Sequence, residues 1–319
     1  MFLFDCGKDF LPSIHSYMVC MAALLFVLPL LVTRISAQEP PLPVTDGLIA
    51  FWDFQEPRES PRRSKWPRKS AQPLLLHEAF FDPRNNSWPI INGPGSQIRR
   101  IPGGIFGPFA AQFKYGQMLV APRDESPALS RDLSGPGATL SMVAWVMKNT
   151  VDSKQKGMEF IAGAWAEDIK ARQFSMFLDL FKGDLSHLID FEVSSVGGPT
   201  PGYEWCVTRA IGTRPVPQKV WNCVGLTYDG EWISAYNNGT LERRGNGSGT
   251  DTTYSNPMRA PGGIFAAGRG SGANFTVGSN VCRSPACFEG RIAGLAVFNR
   301  SITADEMAHI CSQTMPGNK

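Results

Sequence analysis

Few residues in this chain carry chemistry. Asp190-Phe191-Glu192 places two carboxylates at i and i+2 of an apolar, strand-like stretch, so both lie on one face, as a general acid and its partner carboxylate would. The same spacing builds an ordinary exposed polar strand face, and the pair is read that way. Three histidines, His77, His187 and His309, follow the apolar N-terminal segment. His187, Arg172 and Tyr203 are residue types that could remove a proton beside a uronate carboxylate while neutralising it. Trp165 precedes Ala166-Glu167-Asp168, and Tyr203 and Trp205 border a Gly/Pro loop at 196–203 (VGGPTPGY). Sugars stack on exposed aromatic faces and are oriented by neighbouring polar groups. Trp165, Arg172, Tyr203 and Trp205 are therefore the carbohydrate-binding candidates, and no residue is assigned a catalytic role. A basic run, Arg62-Arg63-Ser64-Lys65-Trp66-Pro67-Arg68-Lys69, sets five cations around one indole. It is read as a solvated loop, with sulfated or uronate glycans as the ligands it would otherwise suit.

The compartment follows from the N-terminus. Residues 19–32 (VCMAALLFVLPLLV) are apolar but short of the roughly 20 residues a spanning helix needs, and Ile35-Ser36-Ala37 ends on a small residue. Residues 1–37 are read as a signal peptide, with no membrane span left after cleavage. A start at Met18 would bring that segment to a more usual length. Secretion permits disulfides. Of seven cysteines, Cys6 and Cys20 lie in the presequence, and the expected pairs are Cys206–Cys223 and Cys282–Cys287, with Cys311 left over. Sequons at Asn85, Asn238, Asn246, Asn274 and Asn299 mark surface glycosylation positions in such a compartment. The net charge of +3 argues against a dedicated nucleic-acid binder.

The elements that must position these groups are nearly all strands. After a proline-rich lead-in at 38–46, residues 47–54 (GLIAFWDF) open the fold. Residues 138–147 (ATLSMVAWVM) alternate with period 2 and are apolar on both faces. Further strands are expected at 110–121, 159–165, 173–181 and 188–194. Residues 55–71 are expected to be loop. Asp229-Gly230 and Asn238-Gly239 are type I′ turn signals that join three antiparallel strands from residue 220 onward. Residues 291–298 are expected in a central strand. The convincing helix is 303–312, with Thr303 and Glu306 at capping-box spacing.

GLIAFWDF, ATLSMVAWVM, WNCVGLTYDGEWISAYNNGTLE and FEGRIAGLAVFNRSITADEM, in that order, resemble the motif series of laminin-G-like and pentraxin-like domains of the concanavalin A-like lectin/glucanase superfamily. The resemblance implies one all-β, two-sheet antiparallel jelly-roll β-sandwich over 47–313 with a short C-terminal helix. It implies calcium as the one cofactor to consider, with Asp168 and Asp184 as the weak ligand candidates. The glucanases of this superfamily are similar to one another in an E-x-D-x-x-E strand, and no E-x-D occurs here. The expectation is a secreted carbohydrate-binding or adhesion module, without catalysis, whose partner is an extracellular glycan or glycosylated protein. The alternative is an extracellular polysaccharide-degrading enzyme, a lyase before a glucanase.

Overall fold

The computed structural model describes residues 42–67, 72–81, 89–149, 157–178, 185, 187–203, 207–248, 253–268, 272–282 and 286–316, all within the compact unit Pro40–Lys319. In chain order the strands are β1 (Leu48–Trp52), β2 (Arg62–Arg63), β3 (Leu75–Phe80), β4 (Ile90–Ile91), β5 (Arg99–Pro102), β6 (Phe109–Phe113) and β7 (Gln117–Ala121). Then come β8 (Leu140–Lys148), β9 (Glu159–Ala166), β10 (Ala171–Leu178), β11 (Ile189–Val193), β12 (Arg209–Ile211), β13 (Asn222–Tyr228) and β14 (Trp232–Asn237). The last are β15 (Thr240–Leu241), β16 (Arg244–Ser248), β17 (Thr253–Asn256), β18 (Met258–Arg259), β19 (Phe275–Val277) and β20 (Gly290–Phe298), followed by helix α1 (Ala304–Thr314).

They form a sandwich. One nine-stranded sheet runs β15-β14-β13-β8-β20-β6-β5, with β1 on β20 and β18 on β14. The other, eleven-stranded, runs β16-β17-β12-β11-β10-β9-β19-β7-β3-β2, with β4 on β3. Pairing is antiparallel except β12 with β17. The stretch around Tyr115-Gly116 does give two strands, but β6 joins one sheet and β7 the other. The turn between them thus carries the chain across the sandwich.

Alternation explains the layers. Met142, Ala144 and Val146 of β8 enter the core between the sheets, with Phe174, Phe191, Leu226 and Leu295. Trp52 of β1 stacks across that core on Phe275 of β19 at 6.3 Å. Val143 and Trp145 point the other way, into a second cluster beneath α1 with Phe51, Cys223, Met307 and Ile310. This is why β8 is apolar on both faces. Leu42, in the lead-in, also belongs to that second cluster.

The helix is held at its N-terminal turn. Thr303 Oγ1 accepts from the Glu306 N–H, and the Glu306 carboxylate accepts from the Thr303 N–H at 2.8 Å, completing the capping box. Arg300 adds a two-pronged pair to Glu306 at 2.7 and 2.8 Å. A Cβ on Gly225 would stand 2.3 Å from Met307 Cε, so the glycine lets α1 lie close to β13.

Two sequence expectations are corrected. The disulfide joins Cys223 to Cys311, while Cys282 and Cys287 are buried thiols. Cys223 lies on the face of β13 that α1 covers, so the cysteine expected to be left over is the partner. Cys287 Sγ instead sits 3.3 Å from the Gly116 N–H and 3.4 Å from Ser279 Oγ. Cys206 lies outside the described residues. Second, the segment 55–71 is not all loop. Arg62 and Arg63 form β2, and Arg62 is 1% exposed, ion-paired with buried Glu78 and donating to Pro57 O and Ser60 O. Lys65 is bound to Glu56 at 2.6 Å. The basic run is thus partly consumed by internal pairing.

Candidate functional site: a buried polar face and a rim cleft

The carboxylate pair sits on the eleven-stranded sheet. Ile189, Phe191 and Val193 enter the core, so Asp190 and Glu192 point to the outer face; Phe174 and Met176 do the same for Ser175 and Phe177. Register then sets a row straight across that face: Thr276 opposite Gly163, Gly163 opposite Ser175, Ser175 opposite Glu192, Glu192 opposite Arg209. The pair shares a face, as its spacing requires, but it is not exposed: Asp190 is fully buried and Glu192 nearly so. One guanidinium explains how two carboxyls survive there. Arg209 Nη1 donates to Asp190 Oδ2 at 2.9 Å, and Nη2 lies 2.9 Å from Glu192 Oε1. Burial pushes the Glu192 carboxyl up to about 8, against the pull of Arg209, and Asp190 up to about 6. Because Arg209 stands between the two carboxyls, they cannot flank a substrate bond. The arrangement is a clamp.

Trp165 and Arg172 do come together. They are opposite in register, the guanidinium lies 5.8 Å from the indole centroid, and both reach Glu167, at 3.2 Å from Trp165 Nε1 and 3.3 Å from Arg172 Nη2. The indole is only 1% exposed and packs against Phe177 at 6.1 Å, so it offers no stacking platform, contrary to expectation. Arg172 Nε and Nη1, Ser175 Oγ and Thr276 Oγ1 make no hydrogen bond on this face. Asp168 lies exposed on the turn after β9. Asp184, Trp205 and Asn85 lie outside the described residues. Among the described residues no three His, Cys, Asp or Glu side chains gather as a metal site.

The proton-abstraction trio does not assemble. Arg172 starts β10, whereas His187 lies just before Ile189, which opposes Leu178 at the other end. Six residues of strand separate the two ends, roughly 20 Å. His187 instead has Nδ1 3.2 Å from Lys148 Nζ, and that buried ammonium pairs with Glu159 at 2.9 Å, a constellation the sequence did not suggest.

An accessible concavity lies at the rim, where the loop after β11 meets the segment after β18. A cleft of about 230 Å³ is lined by Ser194, Ser195, Thr200, Pro201, Thr208 and Arg259, among others. Its walls are tied down. Ser194 Oγ accepts from the Gly197 N–H at 3.0 Å, and the Thr208 N–H donates to Thr200 Oγ1 at 2.8 Å. The Arg172 N–H donates to Gly197 O, which anchors this loop to β10. Gly263 has φ +77°, and a Cβ there would stand 2.3 Å from Gly135 O, so this wall needs a glycine. Tyr228 Oη lies 2.7 Å from Ala260 O, and burial pushes its phenol up to about 12. Tyr203, half-buried, follows the cleft loop, with its N–H on Thr200 O at 3.0 Å.

One strand over stands a residue absent from the carbohydrate-binding candidates. Trp232 is 41% exposed, and β14 pairs it directly with Arg259 of β18. Opposite residues of an antiparallel pair project to the same face. Asp229 Oδ1 accepts from the Trp232 and Glu231 N–H groups at 2.7 and 2.9 Å, fixing the turn that presents the indole. The signal was present in the sequence: Ile233 and Ala235 fill the core, so Trp232 and Ser234 must project away from it.

No family model and no curated protein matches this chain. Solved structures do. The binding domain of botulinum neurotoxin DC, solved with rat synaptotagmin II, superposes with a TM-score of 0.50 at 10% identity, over 85% of this chain and 52% of that one. Domain 4 of AbnA, a GH43 extracellular arabinanase from Geobacillus stearothermophilus solved with arabinotriose, gives 0.49 at 17% identity, over 83% and 98%. Trypanosoma rangeli sialidase with 2,3-difluorosialic acid gives 0.49 at 15%, over 86% of this chain and 35% of the enzyme. At these identities the likeness is one of fold.

Proposed function

We propose that this chain is a secreted, laminin-G-like carbohydrate-binding module without catalytic activity, and that it takes a glycan, free or protein-borne, at the rim cleft. The observation that carries this reading is the hydroxyl-lined cleft whose lining residue Arg259 lies directly opposite the exposed Trp232 in the β14–β18 register. A sugar needs this combination, an apolar face for its C–H side and fixed hydroxyls and N–H groups for its own hydroxyls. The described lining holds no carboxylate and no histidine, so it supplies recognition without a proton donor or acceptor of suitable pKa. Secretion is supported by residues 1–37 and by the Cys223–Cys311 disulfide. Among the described residues no helix is long and apolar enough to cross a membrane. Of the described sequons, Asn238, Asn246 and Asn299 are exposed and Asn274 is half-buried, with Asn238 Oδ1 accepting from the Cys223 N–H at 2.8 Å.

A glycan array with the full chain, run with and without EDTA, tests the reading. Binding is expected in both conditions, because the described cleft lining holds no carboxylate to anchor a cation. Loss of all signal in EDTA would point to a metal site elsewhere, and absence of binding to any glycan in either condition would sink the proposal.

A further inference from the structure

Resting on that reading, we infer that the rim cleft selects glycans that carry a carboxylate, and that Glu231 holds the place of this carboxylate on Arg259 in the free protein. Arg259 Nε donates to Glu231 Oε1 at 2.8 Å, yet the two side chains remain 61% and 52% exposed. An ion pair so open to solvent contributes little, in the range of about 0–1 kcal/mol, and is readily displaced. The backbone nevertheless holds it in place: the Ala260 N–H donates to Glu231 O at 2.7 Å, and Asp229 fixes the Glu231 N–H. Arg259 belongs at once to the cleft lining and to the strand position facing Trp232. A sugar ring on that indole brings a substituent at its edge to the guanidinium, because directly opposed residues have their Cβ atoms about 5 Å apart. A ring carboxylate there gains a charge-assisted hydrogen bond with the ring itself excluding water. A neutral hydroxymethyl at the same place would have to compete with Glu231 and gain less.

The test is titration calorimetry of the full chain, as wild type, Arg259→Gln and Glu231→Gln, against neutral oligosaccharides and their uronate-bearing counterparts. Wild type is expected to prefer the uronates. Arg259→Gln is expected to abolish the preference, with uronate affinity falling several-fold further than neutral affinity. Glu231→Gln is expected to strengthen uronate binding by up to about fivefold, the value of a surface ion pair no longer displaced. Both positions are exposed, so unchanged melting temperatures should confirm folding. Equal affinity for the two series, or a Glu231→Gln that weakens uronate binding, overturns this inference and leaves the glycan reading standing. Failure of both series to bind overturns the glycan reading and the inference with it.

Discussion

Arg209 carries the outer face of the large sheet. Without it, two carboxyls would be left buried with no counter-charge. Arg209→Met is expected to destabilise by about 3–5 kcal/mol in urea unfolding. Adding Asp190→Asn and Glu192→Gln to that variant should recover much of the loss, because the uncompensated charge is then gone. Glu192 also makes a pH prediction. Burial holds its folded-state carboxyl well above the unfolded value of 4.5, so the stabilisation its proton gives is complete below 4.5 and fades as pH rises through the raised folded value. The melting temperature of the wild type should fall from about pH 5 to 8, and Glu192→Gln should flatten that slope. A wild-type slope that survives the substitution would locate the linkage elsewhere. The shared face of Asp190 and Glu192 was legible from their spacing alone. Their burial was not, because it depends on Arg209 arriving from a strand 17 residues beyond Glu192 in sequence, brought alongside only by register.

At the scale of elements, the C-terminal helix was the most legible piece. Ser/Thr-x-x-Glu spacing and the apolar positions 307 and 310 are local signals, and local signals survive folding. Thr303→Ala should cost about 1 kcal/mol in chemical denaturation. Arg300 hydrogen-bonds to Glu306 and holds its carboxyl down at about 2, so this pair's stabilisation is full above 4.5 and is lost as pH falls toward 2. What the helix packs on was not legible. The Cys223–Cys311 bond exists because α1 crosses β13, a fact about three-dimensional placement that spacing cannot encode. Reduction of this bond, whose ends are 88 residues apart, should cost about 2–4 kcal/mol and lower the melting temperature in dithiothreitol. The basic run taught the same lesson from the other side. Arg62 looked like solvated charge and is an internal strut, because Glu78 faces it from β3.

For the whole molecule, the two-sheet sandwich was readable from alternation and turn residues along the chain, but where it presents a surface to a partner was not. The candidate Trp165 is buried on the outer face, while Trp232, in a hairpin from which no candidate was drawn, is exposed. β8 and β20 pack on both faces of the nine-stranded sheet, and Tyr228 and Ser194 tie the rim loops down by hydrogen bonds. Recognition at such a rim needs no large rearrangement and should show little conformational lag. The most direct measurement is the affinity of Trp232→Ala, relative to wild type, for the tightest-binding oligosaccharide on the array. Stacking at the cleft edge predicts a loss of about tenfold or more with an unchanged melting temperature. Unaltered affinity in a folded Trp232→Ala protein would contradict the placement of the binding site at this rim.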